Sequence, residues 1–286
     1  MAIDRKKRNQ IVELKSLLDQ PHKLPTIPKV AQQLIQSLGS DDVTIGEIAH
    51  QLVADPVLSA KLLRLANSAY FNLSRSIGSV DDALRVLGFV MVHNLVMGNS
   101  MAAAFRNTPG MNLKQFWRYN LYTASASRWL ATAAGANGDL VFTVGLMHGI
   151  GQLQMHAGMP AVMAPLDLQI NVIEAGRAEL EQQALGFHYG DVSAEMAAIW
   201  KFPPLIISPL RNIPQPLTAP AFSEVAAWVH MGTWHARTQL LKKTDEELQA
   251  SYPVEVAKRL GIATSWASTG MPQLTELSEG LEDMLG

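Results

Sequence analysis

Apolar residues recur every three or four positions along most of this chain, between signals that start and stop helices. Asp55-Pro56 is such a start, with aspartate as the N-cap and proline in the first turn. Thr44 and Glu47 have the spacing of a capping box, and Gly39 follows an apolar stripe as a C-cap. In the first hundred residues no run alternates apolar and polar positions between turns, as a half-buried strand would. The sequence therefore predicts an all-α fold.

The same signals predict the extents of the main helices. An amphipathic helix is expected over Asn9 to Leu18, and longer ones over Leu113 to Ala134 and Ser223 to Leu241. A last, acidic helix is expected over Gln273 to Leu285.

A nearly all-apolar helix is predicted over Phe89 to Ala104, directly after a helix that ends at Gly88. His93 and Asn94 are the polar residues within it. We expect them at the surface or in a second layer, because polar groups are costly to bury without partners.

Composition excludes several classes of function. The 286 residues are 48% hydrophobic and 17% charged, which suits a folded core, and the net charge of -2 argues against nucleic acid as a partner. The absence of cysteine excludes disulfides, iron–sulfur clusters and thiol catalysis, and it removes the commonest zinc ligand. No signal peptide is evident, and no stretch approaches about 20 apolar residues. A cytoplasmic protein with no membrane partner is the expectation.

The stretch from Val144 to Gly151 carries one imidazole, His148, in apolar surroundings. Asp139 is the expected cap of the helix that bears it. Gly149 follows the histidine and offers no side chain, whereas a divalent cation needs several converging ligands. The spaced glycines have no strand before them, so they predict close helix packing and not a dinucleotide loop.

Several ordered motifs resemble those of the HDOD family, the HD-related output domains of bacterial signalling proteins. They are Leu24-Pro25-x-Ile27-Pro28, Asp55-Pro56-x-Leu58, Leu62 to Tyr70 and Ala83-Leu84-x-x-Leu87-Gly88. The resemblance runs over 24–216. It implies an HD-like helical bundle in two parts, an N-terminal helical lobe over 24–108 and an HD-like lobe over 109–216. Residues 1–23 form an N-terminal helix with a basic end, and 217–286 a helical C-terminal extension.

The resemblance also implies where HD-type metal ligands would fall. The first histidine corresponds to Tyr119, and the His-Asp pair corresponds to His148-Gly149. A third imidazole persists as His188. Phenol is a poor ligand at neutral pH because it must first lose a proton of pKa about 10.

The remaining ligand positions are also changed. A later pair of histidines corresponds to Ile213-Pro214, and the last aspartate corresponds to Gly232. His230 and His235 are five apart on one predicted helix and point in different directions, so they are not a chelating pair. We expect no metal, no cofactor and no catalytic residue.

The leading hypothesis is a non-catalytic regulatory module that binds a signalling partner protein or a small ligand. Arg118, Tyr119, His148 and His188 are the candidate pocket residues, with Arg118 as an anion contact. Two alternatives stay open, a metal-dependent phosphohydrolase acting on a nucleotide or cyclic nucleotide, and a pure protein-interaction scaffold. His148 is equally compatible with a hydrogen-bonded core position, and His188 with a polar helix start beside Asp191. Monomer and homodimer are both compatible with the sequence.

Overall fold

The computed structural model describes residues 14–18, 31–32, 52, 55–68, 71, 73, 75–262, 272–278 and 281–282. Within these residues the chain forms no strand, and thirteen helices besides shorter helical stretches such as that over 14–18, which confirms the all-α prediction. The helices are α1 (Pro56–Ala66), α2 (Val80–Ala104), α3 (Leu113–Ala133), α4 (Gly138–Met147), α5 (Ile150–Gly158), α6 (Pro160–Asp167), α7 (Arg177–Leu185), α8 (Tyr189–Ile199), α9 (Pro204–Asn212), α10 (Glu224–Leu240), α11 (Asp245–Ser251), α12 (Val254–Arg259) and α13 (Leu274–Leu277).

Helices α1 and α2 pack together as the N-terminal part of the described chain. Asp55 caps α1 as predicted, since its Oδ1 accepts from the backbone N–H groups of Val57 and Leu58. Helix α2 is interrupted at Gly88, whose φ of 71° is strained for any residue with a side chain. The predicted end at Gly88 is therefore a kink between two helical segments.

Helix α2 corrects two expectations. By length and by its mean hydropathy of 1.4 it could span a membrane, so the sequence does hold one such stretch, although 61% of that stretch is buried inside the protein. His93 and Asn94 are 0% and 1% exposed instead of lying at the surface or in a second layer. Burial lowers the pKa of His93 to about 4, and its ring packs edge-on against Phe202.

Helix α3 forms the centre of the HD-like part, between α4 and α10. Both neighbours approach it at glycines. A Cβ atom on Gly145 would lie 2.8 Å from the Cα of Ala124, and one on Gly232 would lie 2.7 Å from the carbonyl oxygen of Thr123. The predicted role of the glycines around His148 in close helix packing is thus confirmed at Gly145.

The contact between α5 and α8 uses a third glycine. A Cβ atom on Gly151 would overlap the carbonyl oxygen of Tyr189. Ser193 joins the two helices, because its Oγ accepts from the Gly151 N–H at 2.9 Å and donates to the His148 carbonyl oxygen at 2.9 Å. The turn after α4 is therefore held against α8.

Residues beyond 216 take part in the same core. Helix α10 matches the helix predicted over Ser223 to Leu241 and packs along α3, and the predicted capping box of Thr244 and Glu247 is present at α11. Helix α13 covers only Leu274–Leu277 of the predicted last helix. Of the predicted first helix, 14–18 are helical, and the rest of it and the Gly39, Thr44–Glu47 and Leu24–Pro28 motifs lie outside the described residues.

We predict that Gly145→Ala lowers the free energy of unfolding by about 1–3 kcal/mol, because the added methyl group must push α3 and α4 apart. Urea unfolding followed by circular dichroism measures the change. Gly78→Ala is the matched control, since a Cβ atom there meets nothing within 4 Å. Equal unfolding free energies for both variants would contradict this account of the helix contact.

Candidate functional site

A cavity of about 260 Å³ lies where α3, the end of α4, α8 and α10 meet. Tyr119 and His148, two of the four predicted pocket residues, line it. Their rings are in edge-to-face contact, with centroids 5.1 Å apart. Ser251 and Pro253, after α10, close another side of the cavity.

His148 is at the C-terminal end of α4 and is 1% exposed. The N-cap of this helix is Asn137, not Asp139, because the Asn137 side chain accepts from the Leu140 N–H while Asp139 pairs with Arg128. The Nδ1–H of His148 donates to the Gly145 carbonyl oxygen at 2.7 Å, since a carbonyl can only accept.

Burial, together with the smaller effect of the nearby Arg237 charge, lowers the pKa of His148 to about 4. The ring is therefore neutral at pH 7. With Nδ1 protonated, Nε2 is the acceptor nitrogen of the ring.

His230, on α10, is a second imidazole of the cavity that the sequence interpretation missed. Its Nδ1–H donates to the Ile213 carbonyl oxygen at 2.8 Å, and burial lowers its pKa to about 4. His235 is not part of the lining, so these two histidines do not form a pair, as predicted. The cavity face of α10 is His230, Thr233, Trp234 and Arg237, a helical spacing that could have identified it.

Gly232, the position matched to the last HD aspartate, faces α3 and not the cavity. A side chain at this position would therefore point into the helix contact and not into the cavity. The neighbouring face instead brings Arg237 into the cavity. Its Nε donates to the Ile173 carbonyl oxygen at 2.7 Å, and its Nη2 lies 3.5 Å from the Tyr119 hydroxyl oxygen.

Arg237 has no carboxylate within 4.0 Å among the described residues. Glu174 is the acidic residue of the lining, and its side chain is exposed at the mouth. The interior of the cavity therefore holds one cation and neutral rings.

Gly149 has no room for the missing aspartate. A Cβ atom there would lie 2.9 Å from Asn120 Oδ1 and 3.1 Å from the Phe116 ring. Asn120 Oδ1 accepts from the Gly149 N–H at 3.1 Å, so the amide and the aromatic ring occupy the space a carboxylate would need. No group of three or more His, Asp or Glu side chains converges within the part of the chain that the structure describes. The donor set does not fit an HD-type metal centre.

His188 and Arg118 lie outside the lining of this cavity. His188 is the N-cap of α8, where it forms a capping box with Asp191, the helix-start role weighed for it above. Arg118 lines a separate depression of about 880 Å³ between α1, α2 and α3, and its Nε is 4.0 Å from Glu282. Whether either residue contacts a ligand stays a prediction.

A buried ionic network supports the cavity wall from behind. Glu181 is 0% exposed and accepts from Gln152 Nε2 at 2.6 Å and from the Tyr189 N–H at 2.8 Å, and both donors belong to lining residues. Arg177, also 0% exposed, compensates the charge of Glu181, since its Nε lies 2.7 Å from Glu181 Oε1. Its Nη1 lies 2.8 Å from Asp167 Oδ1. The sequence interpretation missed this network, because an Arg and a Glu four apart look like an exposed helix pair.

The model of the HDOD domain matches residues 24–216 of this chain. The chain belongs to the HDOD family. The resemblance stated from the motifs is thereby confirmed, over the same residues.

Three relatives place this HDOD protein among known structures and sequences. A protein from Shewanella amazonensis SB2B, provisionally named a phosphohydrolase, has a TM-score of 0.76 and 28% identity, covering 94% of this chain and 98% of its own. A provisionally named signal transduction protein from Marinobacter aquaeolei VT8 has a TM-score of 0.73 and 22% identity, and the match covers 97% of this chain and 64% of that one. An uncharacterized Treponema pallidum protein is 22% identical over 208 residues, which span 70% of this chain and 40% of that one.

We predict that this HDOD protein loses stability as the pH falls from about 6.5 towards 4. His93, His148, His230 and His235 all have a pKa of about 4 in the folded state against 6.5 as the ordinary value. The unfolded state binds more protons in this window, so acid favours unfolding, while above pH 7 the contribution of these histidines is constant. Urea unfolding across this range measures how the free energy of unfolding changes with pH. For His148→Gln we expect this slope to be shallower than that of the unmodified protein by about 1.4 kcal/mol per pH unit. An unchanged slope would show that His148 is charged in the folded protein.

We predict that Arg177→Met destabilises the protein by about 3–5 kcal/mol, because it leaves the Glu181 carboxylate buried without its cation. Differential scanning calorimetry measures the loss. Lys258→Met is the control, since Lys258 pairs with Glu255 on the surface at 65% exposure, and its melting temperature should not change. A small effect of Arg177→Met would mean that the network does not support the cavity wall.

Proposed function

We propose that this protein is a non-catalytic bacterial signal-transduction module that acts by binding a small ligand or a partner protein. The HD-derived cavity is the site of binding, and the bound or empty state is what the module communicates. Clefts where several helices converge are the usual places for such pockets.

The observation that carries the proposal is the chemistry of the cavity interior. Arg237 supplies a permanent positive charge there, and His148 and His230 are neutral. A divalent cation would be repelled by the guanidinium and would find no inward carboxylate to neutralise it. Hydrolysis of a phosphate ester by metal-activated water needs that cation.

A metal-dependent phosphohydrolase is the second candidate, and two observations favour it. The Shewanella amazonensis relative carries the provisional name phosphohydrolase. In addition, His148 and His230 both donate Nδ1–H to a backbone carbonyl, as histidines that bind metals commonly do. Against it, the space beside Gly149 is filled by Asn120 and Phe116.

Metal analysis of the purified protein distinguishes the two candidates. We predict substoichiometric iron, manganese and nickel, and no release of product from nucleotides or cyclic nucleotides when these metals are added. Stoichiometric metal that disappears in His148→Ala, together with hydrolysis, would overturn the proposal in favour of the enzyme. Gly78→Ala is the matched variant that must leave the metal content unchanged.

A pure interaction scaffold differs from a ligand-binding module in one measurable respect. A ligand that binds only the folded protein must raise its melting temperature. A metabolite screen with no such shift, together with capture of a signalling protein, would support the scaffold.

A further inference from the structure

We infer that the cavity around Arg237 binds a small organic anion that also carries hydrogen-bond donors, directly and without a metal ion. This inference rests on the proposed function and names the ligand class for the same cavity. The resemblance to HD-type metal sites does not predict this ligand, because Arg237 is not among the positions matched to HD-type metal ligands.

The anion-binding element is the guanidinium of Arg237. Its hydrogen bonds within the described chain are to neutral oxygens, the Ile173 carbonyl and the Tyr119 hydroxyl, and no carboxylate of the described residues pairs with it. Arg237 is half-buried, whereas Arg177, the fully buried arginine of the described residues, has its charge compensated by Asp167 and Glu181. A guanidinium held in a cavity without a counter-ion binds a carboxylate or phosphate through charge-assisted hydrogen bonds.

Two phenols stand beside this cation as further donors. Tyr119 accepts the contact from Arg237 through its oxygen, which leaves its O–H to donate. Tyr189 also lines the cavity, and burial raises its pKa, so its hydroxyl keeps its proton. Glu174 is the opposing charge, and it is exposed at the mouth, where solvent screens it.

The cavity also presents three hydrogen-bond acceptors, and these require hydrogen-bond donors on the ligand. Gln152 is 2% exposed, and its Nε2 is used by Glu181, while its Oε1 has no hydrogen-bond partner within the described chain. His148 and His230 present only an acceptor at Nε2, because each Nδ1 donates to a carbonyl. A buried acceptor without a donor is costly, and of the three Gln152 Oε1 is one, so a hydroxyl or amino group on the ligand would supply the donor.

The size of the cavity restricts the ligand further. Its volume of about 260 Å³ lies near the lower end of the range of about 300–1,000 Å³ that small-molecule sites span, so a small hydroxy acid or phosphate fits.

Isothermal titration of the full chain with two matched pairs of probes tests the inference. Lactate is compared with lactamide, which replaces the carboxylate by a neutral amide. Inorganic phosphate, which has O–H groups at neutral pH, is compared with sulfate, which has none. We expect lactate to bind at least tenfold more tightly than lactamide, and phosphate more tightly than sulfate. Whichever of lactate and phosphate binds more tightly identifies the source as carboxylate or phosphate.

Variants at Arg237 show whether the cavity is responsible. Arg237→Gln should weaken the binding of the preferred anion at least tenfold, whereas Arg237→Lys keeps the charge and should retain most of it. Arg128→Gln is the control, because Arg128 pairs with Asp139 outside the cavity, and it should bind like the unmodified chain. If Arg237→Gln does not fold, Tyr119→Phe replaces it, with an expected loss of about threefold to tenfold.

The possible failures separate this inference from the proposed function. The anion site would be overturned by unchanged binding of the preferred anion in Arg237→Gln or by no binding of any anion. It would also be overturned if the preferred anion bound no more tightly than its matched partner, lactamide for lactate or sulfate for phosphate. The proposed function would still stand in each case if the protein carries no stoichiometric metal and hydrolyses no nucleotide. Phosphate binding that requires added manganese would overturn both.

Discussion

The architecture depends on how closely α4 and α10 approach α3. Gly145 and Gly232 remove the side chains that would hold these helices apart, so their backbones lie against Ala124 and Thr123. This contact brings Tyr119 of α3, His148 at the end of α4 and Arg237 of α10 around one cavity. The same packing that stabilises the core therefore builds the site.

Electrostatics then decide what this cavity can hold. The buried charges of Arg177 and Glu181 compensate each other behind the wall, where they fix Gln152 and Tyr189 in place. Arg237 has no such partner among the described residues, and the imidazoles near it stay neutral because burial lowers their pKa values. The charge that the described part of the cavity presents in its interior is therefore positive.

The sequence and the structure agree where the signal is local. Helix caps such as Asp55, the interruption at Gly88 and the helix over Glu224–Leu240 follow from backbone chemistry within a few residues. Agreement fails where the partner is distant. His188 caps a helix outside the cavity lining, the helix-start role that the sequence also allowed. His230 lines the cavity without having been a candidate, because helix rotation decides which side chain faces inward.

By itself the sequence determined the all-α class and the HDOD family, since caps, helical periodicity and ordered motifs can all be read along the chain. Only the tertiary structure decided that Arg237 enters the cavity without a carboxylate partner among the described residues, and that Asn120 and Phe116 fill the space beside Gly149. Those facts depend on contacts between residues far apart in sequence. Packing and charge balance arise from such contacts, so no periodic pattern in the sequence reveals them.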